Sequence, residues 1–287
     1  MLKRSQVAVP IAAFAFLYVA TVPASAAGAT MPRLGTALNF TAVAGSTVTN
    51  TGPSVITGNL GLAPGSAVTG FPPGRVTAVK DIANAVALNA KRDLVTAYRD
   101  AATAPVTSDL TGKNLGGKQL TPGVYKFDSS AQLTGTLTLS GKGVYIFQIG
   151  STLTTASNAV VRLVNSAQAC GVFWQVGSSA TLGSATHFQG NLMALTSITM
   201  VTGANILTGR ALARNGALTL DRNDITRPTG TCTASSTSGS GGQGGGGGSA
   251  STPNTGVGTG QLLIGGLVLL VGVSLMLVGR RLTSRRP

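Results

Sequence analysis

Few residues of this chain are equipped for chemistry. There are seven aspartates, no glutamate, one histidine and two cysteines. Of the aspartates (Asp81, Asp93, Asp100, Asp109, Asp128, Asp221 and Asp224), only Asp221 and Asp224 fall together in the later part of the chain. A polysaccharide-cleaving pair needs two carboxylates facing one sugar, and this is the single place for one. His187, as a catalytic base, would want a carboxylate to orient its ring, and its neighbours supply none. It reads as a structural or surface residue. One histidine and two distant cysteines do not make a metal-binding set, so neither metal nor cofactor is expected. Cys170 and Cys232 fit a disulfide in an exported chain. It would close a loop of roughly 60 residues, a constraint of about 4 kcal/mol in the chain-entropy picture.

What the chain has in quantity is small, uncharged polarity. Five segments begin with a glycine and a short apolar run: Gly123-Val-Tyr, Gly143-Val-Tyr, Gly171-Val-Phe, Gly190-Asn-Leu and Gly209-Arg-Ala. Behind each follows a polar tetrad, ending in turn at Thr138, Asn158, Thr186, Asn205 and Asp224. Stacked coils would set such a column in a rank, one side chain per roughly 4.8 Å of strand spacing. The residues this places on an exposed face are Thr138, Thr155, Ser157, Asn158, Ser184, Thr186, Thr202, Ala204 and Asn205. Between Ser151 and Thr226 only Arg162, Arg210, Arg214, Asp221, Arg222 and Asp224 are charged. Charges hold their own hydration shells, whereas threonine offers one methyl and one hydroxyl, so a rank of this kind can order water. Read as ordinary turn residues of tight coils, the same tetrads carry no function.

The elements that would position these residues follow from the repeat. Steps of 19 to 28 residues between the leading glycines predict one solenoid coil per repeat, each stacked on its neighbours. Short alternating stretches such as Gly45-Ser-Thr-Val-Thr-Asn-Thr-Gly52 predict a first coil or cap of the same solenoid between residues 32 and 71. Phe71-Pro-Pro-Gly74 breaks the pattern. A helix is expected next, over about 76–102, because Val79, Ile82, Ala83, Val86, Ala90, Leu94, Ala97, Tyr98 and Ala101 recur at three- and four-residue spacing. It should lie along one side of the coils. Tyr125, Phe127, Tyr145, Phe147, Phe173 and Trp174 hold matching places in successive coils, predicting an interior stack, with a carbohydrate platform as the alternative.

The ends read differently. Residues 1–26 have the make-up of a secretory signal, with Lys3 and Arg4, an apolar stretch and Ala24-Ser25-Ala26. The folded domain is expected over 27–232. Residues 233–251 are almost all Ser, Gly and Thr, a flexible tether. Residues 260–279 are uncharged and long enough to cross a bilayer as a helix, and the arginines of 280–287 would stay in the cytoplasm. With Thr252, Pro253, Asn254, Thr255 and Gly256 ahead of it, this tail resembles the cell-wall sorting signal of Gram-positive bacteria, whose motif is Leu-Pro-x-Thr-Gly, Thr252 standing in the leucine place. That implies sortase cleavage after Thr255 and attachment to peptidoglycan; without it the helix still anchors the chain to the membrane. The net charge of +14 falls to +8 once the six basic residues of leader and tail are set aside. The remaining cations are scattered, which argues against a nucleic-acid partner.

Several segments together resemble the microbial ice-binding-like family: Leu34-Gly-Thr-Ala-Leu-Asn-Phe40, Val55-Ile-Thr-Gly-Asn-Leu-Gly-Leu62, Leu120-Thr-Pro-Gly-Val-Tyr125, Tyr145-Ile-Phe-Gln-Ile149 and Cys170-Gly-Val-Phe-Trp-Gln-Val176. The resemblance covers roughly residues 32–232. It implies a mainly β fold, a right-handed irregular β-solenoid of triangular cross-section with one long α-helix alongside. It implies further a non-catalytic protein, acting as a monomer, whose partner is the ice crystal surface. Thr155-Ala-Ser-Asn158 and Thr202-Gly-Ala-Asn205 match the Thr-(Ala/Gly)-x-(Thr/Asn) pattern that such proteins carry on the ice face. An anchored adhesion module for glycans or other cells is the alternative, and an enzyme built on Asp221 and Asp224 the third reading.

Overall fold

The computed structural model describes residues 29–229. The leader, Cys232, the Ser/Gly tether, the sorting-like motif, the apolar run 260–279 and the basic tail lie outside the described residues.

All the strand pairings are parallel, and they resolve into three ladders joined coil to coil. The first ladder runs through Ser108–Asp109, Gly123–Phe127, Tyr145–Ile149, Val172–Val176 and the ends of His187–Ala194 and Asn205–Ala213. It continues into Phe40–Ala44, Asn59–Leu62 and Lys80–Ile82. The second links Gln119–Leu120, Thr136–Ser140, Val160–Val164 and the starts of His187–Ala194 and Asn205–Ala213 to Asp224–Thr226, Val55–Thr57 and Arg75–Val76. The third comprises Ala131–Leu133, Leu153–Thr155, Ala180–Leu182, Ile198–Met200, Leu218–Asp221, Thr47–Thr51 and Ala67–Thr69. The coil expected near the N-terminus therefore exists, but it stacks against the last coil, where Val48 pairs with Leu218.

Residues that alternate toward the inside fill one continuous core. Its centre is an aromatic column in which Tyr125, Phe147 and Trp174 occupy paired positions. Phe147 and Trp174 stack with centroids 3.9 Å apart, and Phe188 closes on Trp174 at 4.9 Å. Trp174 is fully buried, and its indole N–H donates to the Gln189 carbonyl at 3.0 Å. The expected interior stack thus forms with Tyr125, Phe127, Tyr145, Phe147 and Trp174, whereas Phe173 turns to the opposite face of the sheet and packs with Leu94 and Tyr98; all six rings are buried, so they offer no carbohydrate platform. Such ring pairs add about 0.5–1.5 kcal/mol each beyond their buried area.

The inner strands of the first ladder, Phe40–Ala44, Tyr145–Ile149 and Val172–Val176, are buried on both faces, as parallel strands with a helix over them must be. Helix α1, Ala85–Ala102, lays Ala90, Leu94, Ala97, Tyr98 and Ala101 over Val43, Ile146, Phe173, Met193 and Leu212. The Tyr98 hydroxyl donates to the Val176 carbonyl at 3.0 Å and accepts from Gln175 Nε2 at 2.7 Å. Gln148 Nε2 holds the far end, donating to the carbonyls of Ala101 and Ala104 at 2.8 Å each. The helix begins nine residues later than its periodicity predicts. Asn84 caps it, accepting from the Ala87 amide at 2.9 Å, while Arg75–Val76 and Lys80–Ile82 pair as edge strands. Val79 and Val86, assigned to the apolar stripe by spacing, stay exposed; Ala87, which the stripe omitted, is buried.

Candidate functional site

The outward side of the third ladder carries the most regular chemistry on the molecule. Each strand is short, and its central residue is flanked by buried residues in Leu153-Thr154-Thr155, Ala180-Thr181-Leu182, Ile198-Thr199-Met200 and Leu218-Thr219-Leu220, and by buried Val48 and half-buried Asn50 at Thr49. Period-two alternation therefore turns every central residue out. The register sets Thr154 beside Thr181, Thr181 beside Thr199, Thr199 beside Thr219, Thr219 beside Thr49 and Thr49 beside Thr69. Gln132 extends the column on the Thr154 side. Six consecutive threonines in a seven-strand column span roughly 24 Å at about 4.8 Å per step. No register shift interrupts this ladder, whereas the register shifts at Phe40/Ala42 in the first and at Phe188/Gln189 where the second passes into the first.

A second rank lies two residues upstream on the same side, about 6.7 Å along the strands. It contains Ser130, Thr152, Ser179, Ser197, Ala217, Thr47 and Ala67, and is likewise uncharged. Its hydroxyls tie neighbouring coils together. Thr152 Oγ1 donates to Ser130 Oγ at 2.8 Å, and Ser197 Oγ accepts from the Ala217 amide at 3.1 Å. In the threonine column itself, Thr49 Oγ1 meets Thr219 Oγ1 at 3.4 Å. The other two ladders offer no comparable surface. Helix α1 covers the first, and the second exposes Arg75, Arg162, His187 and Asp224 among its strands. Among the described residues no cluster of His, Cys, Asp or Glu could hold a metal ion.

The profile of the ice-binding-like family matches residues 42–226. The chain belongs to that family. An ice-binding protein from Nostoc sp. (strain HG1) is 55% identical over 205 residues, covering 70% of this chain and 76% of the relative. One from Flavobacterium frigoris (strain PS1) is 36% identical, covering 68% and 76%. Among solved structures, the ice-binding protein of the Antarctic ascomycete Antarctomyces psychrotrophicus superposes with a TM-score of 0.68 at 41% identity, covering 70% of this chain and all of that one.

Within this ice-binding-like domain, the tetrads singled out by their repeat sit at the turn leaving the third ladder, not on its outward side. Thr155, Thr186 and Ala204 are buried, which corrects their assignment to an exposed rank. Thr155 Oγ1 and Thr186 Oγ1 bond to each other at 2.8 Å, and Thr155 Oγ1 also accepts from the Gly183 amide at 2.9 Å. They satisfy the polar backbone where the chain turns; a Cβ on Gly183 would lie 2.5 Å from the Thr155 carbonyl oxygen, so the turn admits only glycine. Ser157 and Asn158 are exposed on the same turn, with Asn158 at φ 58°, and Ser184 is half-buried on the next. Thr202 is exposed and hydrogen-bonds Asp221; Asn205 accepts from the Asp224 amide at 2.7 Å. Thr138 belongs to the second ladder, beside Arg162. Asp221 is also held by Arg222 at 3.1 Å, so its carboxylate is engaged on both oxygens. Cys170 sits in a short turn before Val172–Val176.

Proposed function

We propose that this chain adsorbs to ice, through the outward side of the third ladder. The observation that carries the reading is the unbroken column Thr154, Thr181, Thr199, Thr219, Thr49 and Thr69 with its uncharged partner rank. Repeated methyls at fixed spacing hold water in the gaps between them, and the hydroxyls bond that water without imposing a competing ionic shell. Backbone pairing fixes every position before ice arrives, so little side-chain entropy is lost on binding. Ice-binding relatives with 55% and 36% identity support the same ligand. Ser157, Asn158, Ser184 and Thr202 border this surface rather than compose it, and the role is one of adsorption, not catalysis.

The three ladders are read as the sides of a right-handed solenoid, triangular in section, the hand that parallel crossovers favour. The leader, the Gly/Ser tether and the apolar run ahead of the final arginines support export and surface anchoring, in the membrane or on peptidoglycan. A Cys170–Cys232 disulfide would fasten the end of the domain; that no described cysteine is free supports it. Slow freezing of a solution of the full chain should partition it into the ice fraction, and on intact producing cells the activity should be removed by external protease. Exclusion from the ice, like that of an ordinary globular protein, refutes the function. Activity that resists external protease refutes the anchoring.

A further inference from the structure

Helix α1 turns its two carboxylates to one flank, where Asp93 accepts from Thr36 and Asp100 pairs with Arg33. Lys91 lies roughly 200° around the helix from Asp93, on the same stripe as Tyr98. There it meets a second cation. Arg214, on the turn leaving Asn205–Ala213, sets its guanidinium carbon 5.5 Å from the centre of the Tyr98 ring. The backbone holds this arginine in place: its amide donates to the Ala194 carbonyl at 2.8 Å, and that of Asn215 to the Leu195 carbonyl at 3.0 Å. Lys91 feels the guanidinium, since burial first and the charge of Arg214 second bring its pKa down to about 8. At pH 7 both side chains are therefore charged, half-buried and mutually repelling.

No carboxylate answers them. Among the described residues neither side chain makes a hydrogen bond or an ion pair, and Asp81, just ahead of the helix, accepts from Asn84. Of their four nitrogens only Arg214 Nε is shut off from solvent. Lys91 Nζ and both Nη of Arg214 are thus unpaired donors that solvent reaches. We propose that Lys91 and Arg214 together bind a phosphate group, the fork of Arg214 on two of its oxygens and the Lys91 ammonium on a third. The planar guanidinium matches a pair of phosphate oxygens, and the ammonium adds a point charge with its own donors. A carboxylate has two oxygens and engages one cation well, not both, whereas a phosphate carries charge and acceptors enough for the pair. Neither residue stands in the threonine column, so the site stands or falls independently of ice adsorption.

The test is calorimetric titration of the full chain at pH 7 with sodium phosphate, sodium dimethyl phosphate, sodium acetate and, at matched ionic strength, sodium chloride. Phosphate should bind one-to-one and about tenfold or more tighter than acetate or chloride. Its addition should shift the NMR signal of Lys91 Cε. Dimethyl phosphate separates the two sources of such a group: binding as tight as phosphate assigns the site to a phosphodiester, and weaker binding to free phosphate or a monoester. Lys91→Met and Arg214→Met should each weaken phosphate about tenfold, the worth of a lost charged hydrogen bond. Should Arg214→Met not fold, Lys91→Met still decides, because phosphate should raise the Tm of the parent and leave that of Lys91→Met where it was. Equal responses to phosphate and chloride, which mean charge screening only, overturn the proposal. So does phosphate binding that survives Lys91→Met, or no saturable binding.

Discussion

Replacing Thr199 by tyrosine tests the proposed ice-contacting column where it has most to lose. Thr199 is fourth of the seven positions, with Thr181 and Thr219 beside it at about 4.8 Å. A phenol ring rises above the level of its threonine neighbours, and a crystal surface resting on the ring is lifted from both. Thr181, Thr199 and Thr219 then lose contact, leaving Thr154 on one side and Thr49 with Thr69 on the other, so no run longer than two remains. Thermal hysteresis should fall on the order of half or more, since three of the six threonines are withdrawn. Folding should scarcely notice. A substitution at a half-exposed strand position away from special contacts costs within about 0.5 kcal/mol, which moves Tm by at most about 2 °C in a domain of this size. Osmometry on single ice crystals reads the first quantity and scanning calorimetry the second. Thr138→Tyr, on the second ladder, is the control and should leave hysteresis unaltered. Undiminished hysteresis in Thr199→Tyr, or an equal loss in Thr138→Tyr, refutes the assignment of the surface.

Two further outcomes follow from groups inside the fold. Thr155→Val strips the Gly183 amide of its acceptor and Thr186 of one of its two partners, the Ala156 carbonyl remaining, costing about 1–3 kcal/mol and lowering Tm by several degrees. Adding Thr186→Val should cost less than the sum of the two single changes, because they share one bond; strict additivity in calorimetry would contradict the pairing. Lys91 is held at a pKa of about 8, below its ordinary 10.5, by burial and then by the charge of Arg214. The folded chain gives up this proton before the unfolded chain does, so the unfolded state binds more protons between pH 8 and 10.5 and stability rises through that window. Below pH 8 the penalty is present in full. Lys91→Met should melt above the parent at pH 7, and the gap should close by pH 10.5; a gap independent of pH would remove this account.

Much of the fold is legible in the residues because strand and turn chemistry are local. The glycine-led repeat marks the coils, and the aromatic positions 125, 147 and 174 align at the repeat distance, as they do in the core. The stripe Ala90, Leu94, Ala97, Tyr98 and Ala101 faces the sheet as its spacing predicts. The start of α1 is not legible from periodicity, since Lys80–Ile82 is claimed by pairing with Leu60–Leu62, a contact between residues twenty apart. The outward face of the third ladder is missed for a related reason. The polar tetrads are conspicuous because they are contiguous, but contiguous small polar residues make turns, and there Thr155 and Thr186 look inward. The outward column is signalled instead by single threonines between apolar neighbours, as in Ile198-Thr199-Met200, a three-residue alternation too short to stand out alone. Its completion by Thr49 and Thr69 depends on pairing with Thr219, 170 residues beyond Thr49 in the chain, which no local pattern encodes.

That distant pairing bears on how the protein is made. The coil at Phe40–Thr57 emerges from the ribosome early, yet its neighbours in two ladders, Leu218–Asp221 and Asp224–Thr226, are among the last segments of the domain to be synthesised. Loop closure over such a separation is slow compared with helix or hairpin formation. Until it happens, one open strand edge waits at Thr47–Thr51 and another at Ile198–Met200, each a template for a stray chain. Chains halted before Leu218 would already contain all but one of the six threonines, in two separate groups of two and three, and would hold no crystal that needs the whole row.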